Sequence, residues 1–272
     1  DWRAAVNLSF IENNTTSWIG AIVGNGYYDR RHKHRVRNTI IFATGSIISD
    51  QTDVILYFHG LTGFKKSEFF TRVVPTIHRL HTQGRNFVFV FPELPWSYTT
   101  HTPRGRQHVV WNPRYSKHEN LIIFYQNALR IVGTINDAPF TPREVIVVGH
   151  SAGGSAIRMA ARFGGFDHIK PSRVIFSDAG YGRWTDETWK HYLSKHSLCK
   201  LVLLTRVWDK PWRNTRRFLR DNFRSVIPSS IELYEFPRRR FTHSSIGNQA
   251  IAWAYEAVDT TLKISVESVV KR

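Results

Sequence analysis

A serine at the apex of a glycine-flanked turn constrains this chain more than any other feature. The segment is Gly149-His150-Ser151-Ala152-Gly153. Before it stands Val145-Ile146-Val147-Val148, β-branched and apolar throughout, as a central parallel strand buried on both faces requires. After it, Gly154 to Phe163 holds helix formers and small residues, among them Ala156, Ile157, Met159, Ala160 and Ala161, which suit close packing on a sheet. Strand, sharp turn and helix follow one another. Such a turn leaves no room for a bulky side chain two residues before or after the serine, and glycine fills both places. It lifts the hydroxyl clear of the backbone and aims the amide of Ala152 at whatever the serine attacks.

Size and composition bound the rest. A chain of 272 residues buries one large core, so a single domain over 1–272 is expected, with its core at about 36–265. The apolar content, 42%, excludes a disordered chain. No apolar run approaches the roughly 20 residues that span a bilayer. The chain begins at Asp1 without a methionine or a signal-peptide pattern, which reads as a soluble, mature or trimmed product with export open. The single cysteine, Cys199, excludes an internal disulfide and suits a reducing cytosol and an exported protein alike, so the compartment is not fixed. Lysine and arginine number 38 against 21 acids, a net charge of +17. The basic runs are Arg30–Arg37, Arg213–Arg224 and Arg238–Arg240. A field of that sign attracts nucleic acid, acidic headgroups or anionic polymers; the plainer reading is a solvated basic surface.

Periodicity supplies an outline. Ser17–Val23 and Thr39–Ala43 read as an antiparallel opening pair, and residues 1–35 as opening strands or an extension. Apolar strands then recur at Val54–Phe58, Phe87–Phe91, Val145–Val148, Arg173–Phe176, Leu201–Leu204 and Ile231–Phe236. Helical spacing connects them: Phe69 to Leu80, Leu121 to Val132, Gly154 to Phe163, Trp184 to Leu193, Trp212 to Phe223, and a closing helix from Ile251 to Leu262. Strands alternating with helices call for an α/β fold with a mostly parallel sheet, helices on both faces, and ligands at the carboxyl ends of the strands. Residues 92–118 form a loop longer than connections usually are, with Trp96, Trp111, Arg104, Arg106 and Arg114 along it; such a loop is a binding wall or simply covers the sheet.

The G-x-S-x-G turn in this setting resembles the nucleophile elbow of the α/β-hydrolase superfamily, the serine hydrolases of esterase and lipase type. The resemblance spans roughly residues 54–256. It implies a sheet of about eight strands, no large cap domain, and a catalytic triad in the order serine, acid, histidine. Ser151 is then the nucleophile. His243, which follows the last strand, is the base. The acid is Asp209, after Leu201–Leu204, as the superfamily most often has it, with Asp178 one strand earlier as the alternative. The oxyanion hole falls to the amides of Ala152 and Leu61, or Thr62 in place of Leu61, in the His59-Gly60-Leu61-Thr62-Gly63 segment. His59, His150, Trp96, Tyr181 and Trp208 are candidates to line the pocket.

There is no H-E-x-x-H, no P-loop, no G-x-G-x-x-G after a first strand and no paired-cysteine site, so the expected chemistry needs no metal and no cofactor. The expectation is a serine hydrolase acting on a carboxylic ester, less readily an amide, with an anionic or polymeric substrate as one extension. The competing reading is a hydrolase-like scaffold without catalysis that holds nucleic acid or an acidic surface through its basic face.

Overall fold

Unbroken runs of β-branched and aromatic residues build the centre of the molecule. The computed structural model describes residues 7–14, 17–23, 38–44, 47–60, 73–92, 94, 99–101, 107–109, 118–135, 137–224, 228–255 and 260–270. The strands are β1 (Asn7–Asn14), β2 (Ser17–Val23), β3 (Asn38–Thr44), β4 (Asp53–Phe58), β5 (Phe87–Pro92), β6 (Thr99–His101), β7 (Gln107–Val109), β8 (Val145–His150), β9 (Arg173–Ser177), β10 (Lys200–Arg206), β11 (Ile231–Phe236) and β12 (Lys263–Ile264). The helices are α1 (Val74–Thr82), α2 (His118–Ile135), α3 (Gly153–Arg162), α4 (Gly165–Ile169), α5 (Trp184–His191), α6 (Lys210–Asn222), α7 (His243–Gln249) and α8 (Val266–Val270).

Ten strands join one sheet in the order β1-β2-β3-β5-β4-β8-β9-β10-β11-β12, while β6 and β7 pair apart from it. From β5 to β11 in that order every pairing is parallel. The flanking β1, β2, β3 and β12 pair antiparallel. The sheet is wider than the eight strands expected. The Asn-rich β1 has a composition that strands disfavour, and β12 is two residues long, so neither carries a strand signal. The β6–β7 ribbon lies within the 92–118 stretch read as a loop.

Alternation along the strands sorts the core into two layers. Val54, Leu56 and Phe58 of β4 pack with Val147, Ile131 and Ile157 on one face. Ile55 and Tyr57 pack with Val148, Ile77 and Leu80 on the other. Both faces are covered, which is why the central strands read as continuous apolar runs.

The closing helix expected over 251–262 is not formed. Residues 252–254 and 260–262 are short 3₁₀ turns, and residues 256–259 lie outside the described residues. The physical reason is burial on every side. Ala250, Ile251, Ala252, Trp253 and Ala254 are all buried in succession, so no polar face remains to give a one-sided helix. Trp253 stacks on Phe236 at 4.7 Å instead.

Parallel pairing brings the carboxyl ends of β4, β8, β9, β10 and β11 to one edge. Residues 59–60, 151, 178, 207–209 and 237–243 follow directly from those ends.

Candidate active site

The elbow is built as its glycines require. Ser151 follows β8 with φ of +51°, a left-handed conformation that ordinary side chains avoid. Its amide donates to the Ser177 carbonyl at 3.1 Å, and its own carbonyl accepts from Gly154 N–H at 3.1 Å, which opens α3. A Cβ at Gly153 would run into the Phe58 carbonyl oxygen, and one at Gly149 would sit 2.6 Å from Ile157 Cδ1. The strand–turn–helix can close this tightly only with glycine at both positions. Ser151 is 9% exposed, and Ala152 is buried at the start of the helix.

Asp178, directly after β9, is fully buried at 0% exposure and also has positive φ, +46°. Its Oδ1 accepts the Arg206 amide at 3.1 Å. Its Oδ2 lies 2.6 Å from His243 Nδ1. A carboxylate accepts only, so Nδ1 carries the proton and Nε2 is left as the basic nitrogen. His243 opens α7, which Thr242 starts with a capping box: Thr242 Oγ1 accepts Ser245 N–H at 3.1 Å, and Ser245 Oγ accepts Thr242 N–H at 2.9 Å.

Asp209, the acid preferred from sequence, is engaged elsewhere. Its Oδ2 is 2.5 Å from Arg206 Nε and its Oδ1 is 3.5 Å from Arg238 Nε. The structure therefore brings Asp178, not Asp209, to His243. The physical reason is the position of α7. Ser177 Oγ donates to the Ile246 carbonyl at 3.2 Å, Tyr57 Oη to the Gly247 carbonyl at 3.3 Å, and His150 Nε2 to the His243 carbonyl at 3.1 Å. Side chains of β4, β8 and β9 thus dock the helix over the middle of the sheet, where His243 meets Asp178. The signal available in sequence was the glycine-rich turn around Asp178.

His150 is the residue whose part the sequence did not disclose. Its ring lies 4.7 Å from that of His243. A Cβ at Gly247 would come within 2.5 Å of it, so α7 seats directly on the imidazole. Burial pushes its pKa down to about 3, and neighbouring His243 adds to the effect, so it is neutral. It supports the backbone of His243 rather than lining a pocket. His59 is likewise internal: Nε2 accepts Leu94 N–H at 2.9 Å, which makes Nδ1 the donor to the Gly60 carbonyl at 2.6 Å. Gly60 abuts Ser151, since a Cβ there would sit 3.2 Å from Ser151 Cβ. The chain after β4 thus passes beside the serine. Leu61, Thr62 and Trp96 lie outside the described residues.

Tyr181 follows β9 three residues after Asp178. Burial, with the Asp178 charge added, raises the pKa of its phenol. Trp208 stands at the rim, 67% exposed. Among the described residues no helix is long and apolar enough to cross a membrane.

A parallel centre with antiparallel edges, an elbow after the central β8 and a histidine after the last parallel strand define the α/β-hydrolase fold. Solved structures agree. The chain is similar to a cold-adapted esterase from an Arctic intertidal metagenomic library, at 13% identity and TM-score 0.51, covering 96% of each chain. It is similar to an IroE-like serine hydrolase from Shewanella oneidensis, at 16% identity and TM-score 0.50, covering 85% of this chain and 77% of that one. An uncharacterised protein from Capnocytophaga ochracea matches at 12% identity and TM-score 0.55, covering 87% and 62%. At such identities the likeness is one of fold. No protein-family profile and no curated protein matches the sequence.

Proposed function

We propose that this protein is a serine hydrolase that cleaves carboxylic esters, less readily amides, through an acyl-enzyme. The observation that carries the reading is the 2.6 Å contact between a fully buried Asp178 and His243 on the same sheet edge as the Ser151 elbow. Ser151 Oγ attacks the ester carbonyl while His243 Nε2 takes its proton. Asp178 holds the ring in the tautomer that leaves Nε2 basic and offsets the imidazolium charge. The oxyanion falls to the amides of Ala152 and of Leu61 or Thr62. His243 then protonates the departing alcohol, and a water activated by the same imidazole releases the acid and restores Ser151.

The substrate arm is set by the rim. An anionic or polymeric substrate fits the excess of arginine there. In the test, Ser151→Ala removes the nucleophile, and p-nitrophenyl acetate turnover falls by about 10³-fold or more. Turnover unchanged in that variant would remove the reading. Salt-sensitive nucleic-acid binding with no esterase activity in the wild type would favour the scaffold alternative.

A further inference from the structure

Trp208 occupies a place that the fold alone does not explain. The chain leaves β10 through a four-residue turn, Arg206 to Asp209, closed by Asp209 N–H to the Arg206 carbonyl at 3.2 Å. Trp208 is third in that turn with φ of +70°. This is the position that glycine or asparagine takes in a type II turn, and for a bulky side chain it is a genuine outlier. The indole is also 67% exposed. A strained backbone that presents a large apolar side chain to water is an arrangement found where ligands bind.

The surroundings hold that turn in place. Val207 N–H donates to the Phe236 carbonyl at 3.0 Å. Arg206 and Arg238 both converge on Asp209, at 2.5 Å and 3.5 Å. Trp208 packs against Trp212 with centroids 4.9 Å apart, and the Arg216 guanidinium lies 4.7 Å over the far indole. Trp212 Nε1 and Arg216 are fixed in turn by Glu235, at 2.7 Å each. The outcome is a rigid aromatic step with one indole face open.

Its charge is lopsided. Two guanidiniums share the single Asp209 carboxylate, and the Arg238 side chain is 60% exposed. Arg239 and Arg240 are exposed beside it, and among the described residues no ion pair joins either to an acid. These arginines lie between β11 and His243. The turn itself is bonded to the site, because the Arg206 amide donates to Asp178 Oδ1. An aromatic step and an uncompensated cationic rim therefore sit one hydrogen bond away from the acid.

We propose that Trp208 with Arg238, Arg239 and Arg240 forms a substrate-arm site for a flat ring bearing a carboxylate. The ring stacks on the open indole, and the carboxylate takes the forked N–H groups of the arginines. This deepens the ester-hydrolase reading and rests on it for the chemistry, though not for the binding.

The test separates the two. In a Ser151→Ala background, 4-acetoxybenzoate and its neutral methyl ester are titrated by calorimetry at low and high salt. The carboxylate is expected to bind at least tenfold more tightly than the methyl ester, and salt should erode that margin. Trp208→Asn, which suits the turn better, should weaken both ligands about tenfold while the melting temperature holds or rises. Replacing Arg238, Arg239 and Arg240 with Gln should remove the preference for the carboxylate and leave the methyl ester's affinity in place. Equal affinity for the two ligands, or variants that bind as the parent does, overturns the site. Selective binding by a wild-type protein that hydrolyses neither ligand supports the site and defeats the esterase reading instead.

Discussion

Replacing Asp178 by asparagine separates the two acids that sequence left in competition. Asp178 is fully buried, with Oδ1 held by the Arg206 amide at 3.1 Å and Oδ2 at 2.6 Å from His243 Nδ1. Asparagine keeps the shape. Because Oδ1 must remain the acceptor for Arg206, the new NH₂ group falls at the Oδ2 place and faces Nδ1. Two donors cannot share that contact, so the imidazole changes tautomer and Nε2 carries the proton. A serine facing an N–H has no base. The corresponding substitution in the trypsin triad costs about 10⁴-fold in kcat, which at 1.36 kcal/mol per decade is about 5 kcal/mol of transition-state stabilisation. Asp209→Asn disturbs only its contacts with Arg206 and Arg238. Breaking that partly buried pair costs about 1–3 kcal/mol of stability and less than about tenfold in kcat. The assay is steady-state p-nitrophenyl acetate hydrolysis, with circular dichroism to confirm that each variant is folded. A folded Asp178→Asn enzyme within tenfold of wild type, or a folded Asp209→Asn enzyme down by a thousandfold, refutes the reasoning.

Three further outcomes follow from the same contacts. Gly153→Ala places a methyl group against the Phe58 carbonyl, so the melting temperature should fall by about 5 °C or more, or folded protein should not accumulate; a normal melt would mean the elbow has more room than drawn. His150 has a folded-state pKa near 3 against an ordinary 6.5, so the unfolded chain takes up its proton first; this part of the stability is complete above about pH 6.5 and is lost as pH falls toward 3. His150→Gln should flatten the acid side of a melting-temperature profile relative to wild type, and parallel curves would contradict the shift. Burial raises the Cys199 thiol to about 12, so native protein should react with a thiol reagent only after unfolding, and prompt labelling at pH 8 would count against its place in the core.

The sheet and the tight turn at Ser151 were legible because their causes are local. Continuous apolar runs mark strands covered on both faces, and two glycines around Ser151 mark a turn with no space for a Cβ. The acid was harder. Asp178 and Asp209 both end strands of the parallel block, and only the docking of α7 by Tyr57, His150 and Ser177 decides which one His243 meets. Those bonds join residues far apart in sequence, with no pattern to announce them. His150 looked like a pocket residue because it neighbours the serine, yet its ring turns under the histidine helix. The segment after Ala250 failed for the opposite reason: its apolar spacing suggested one buried face, while the fold buries every residue from Ala250 to Ala254.

Treatment with a fluorophosphonate, followed by intact mass and peptide mapping, tests the central claim most directly. One adduct per chain on the peptide carrying Ser151, absent from His243→Ala and from Ser151→Ala, is the predicted result. No adduct on a folded wild-type chain, or an adduct on any other residue, would contradict the account.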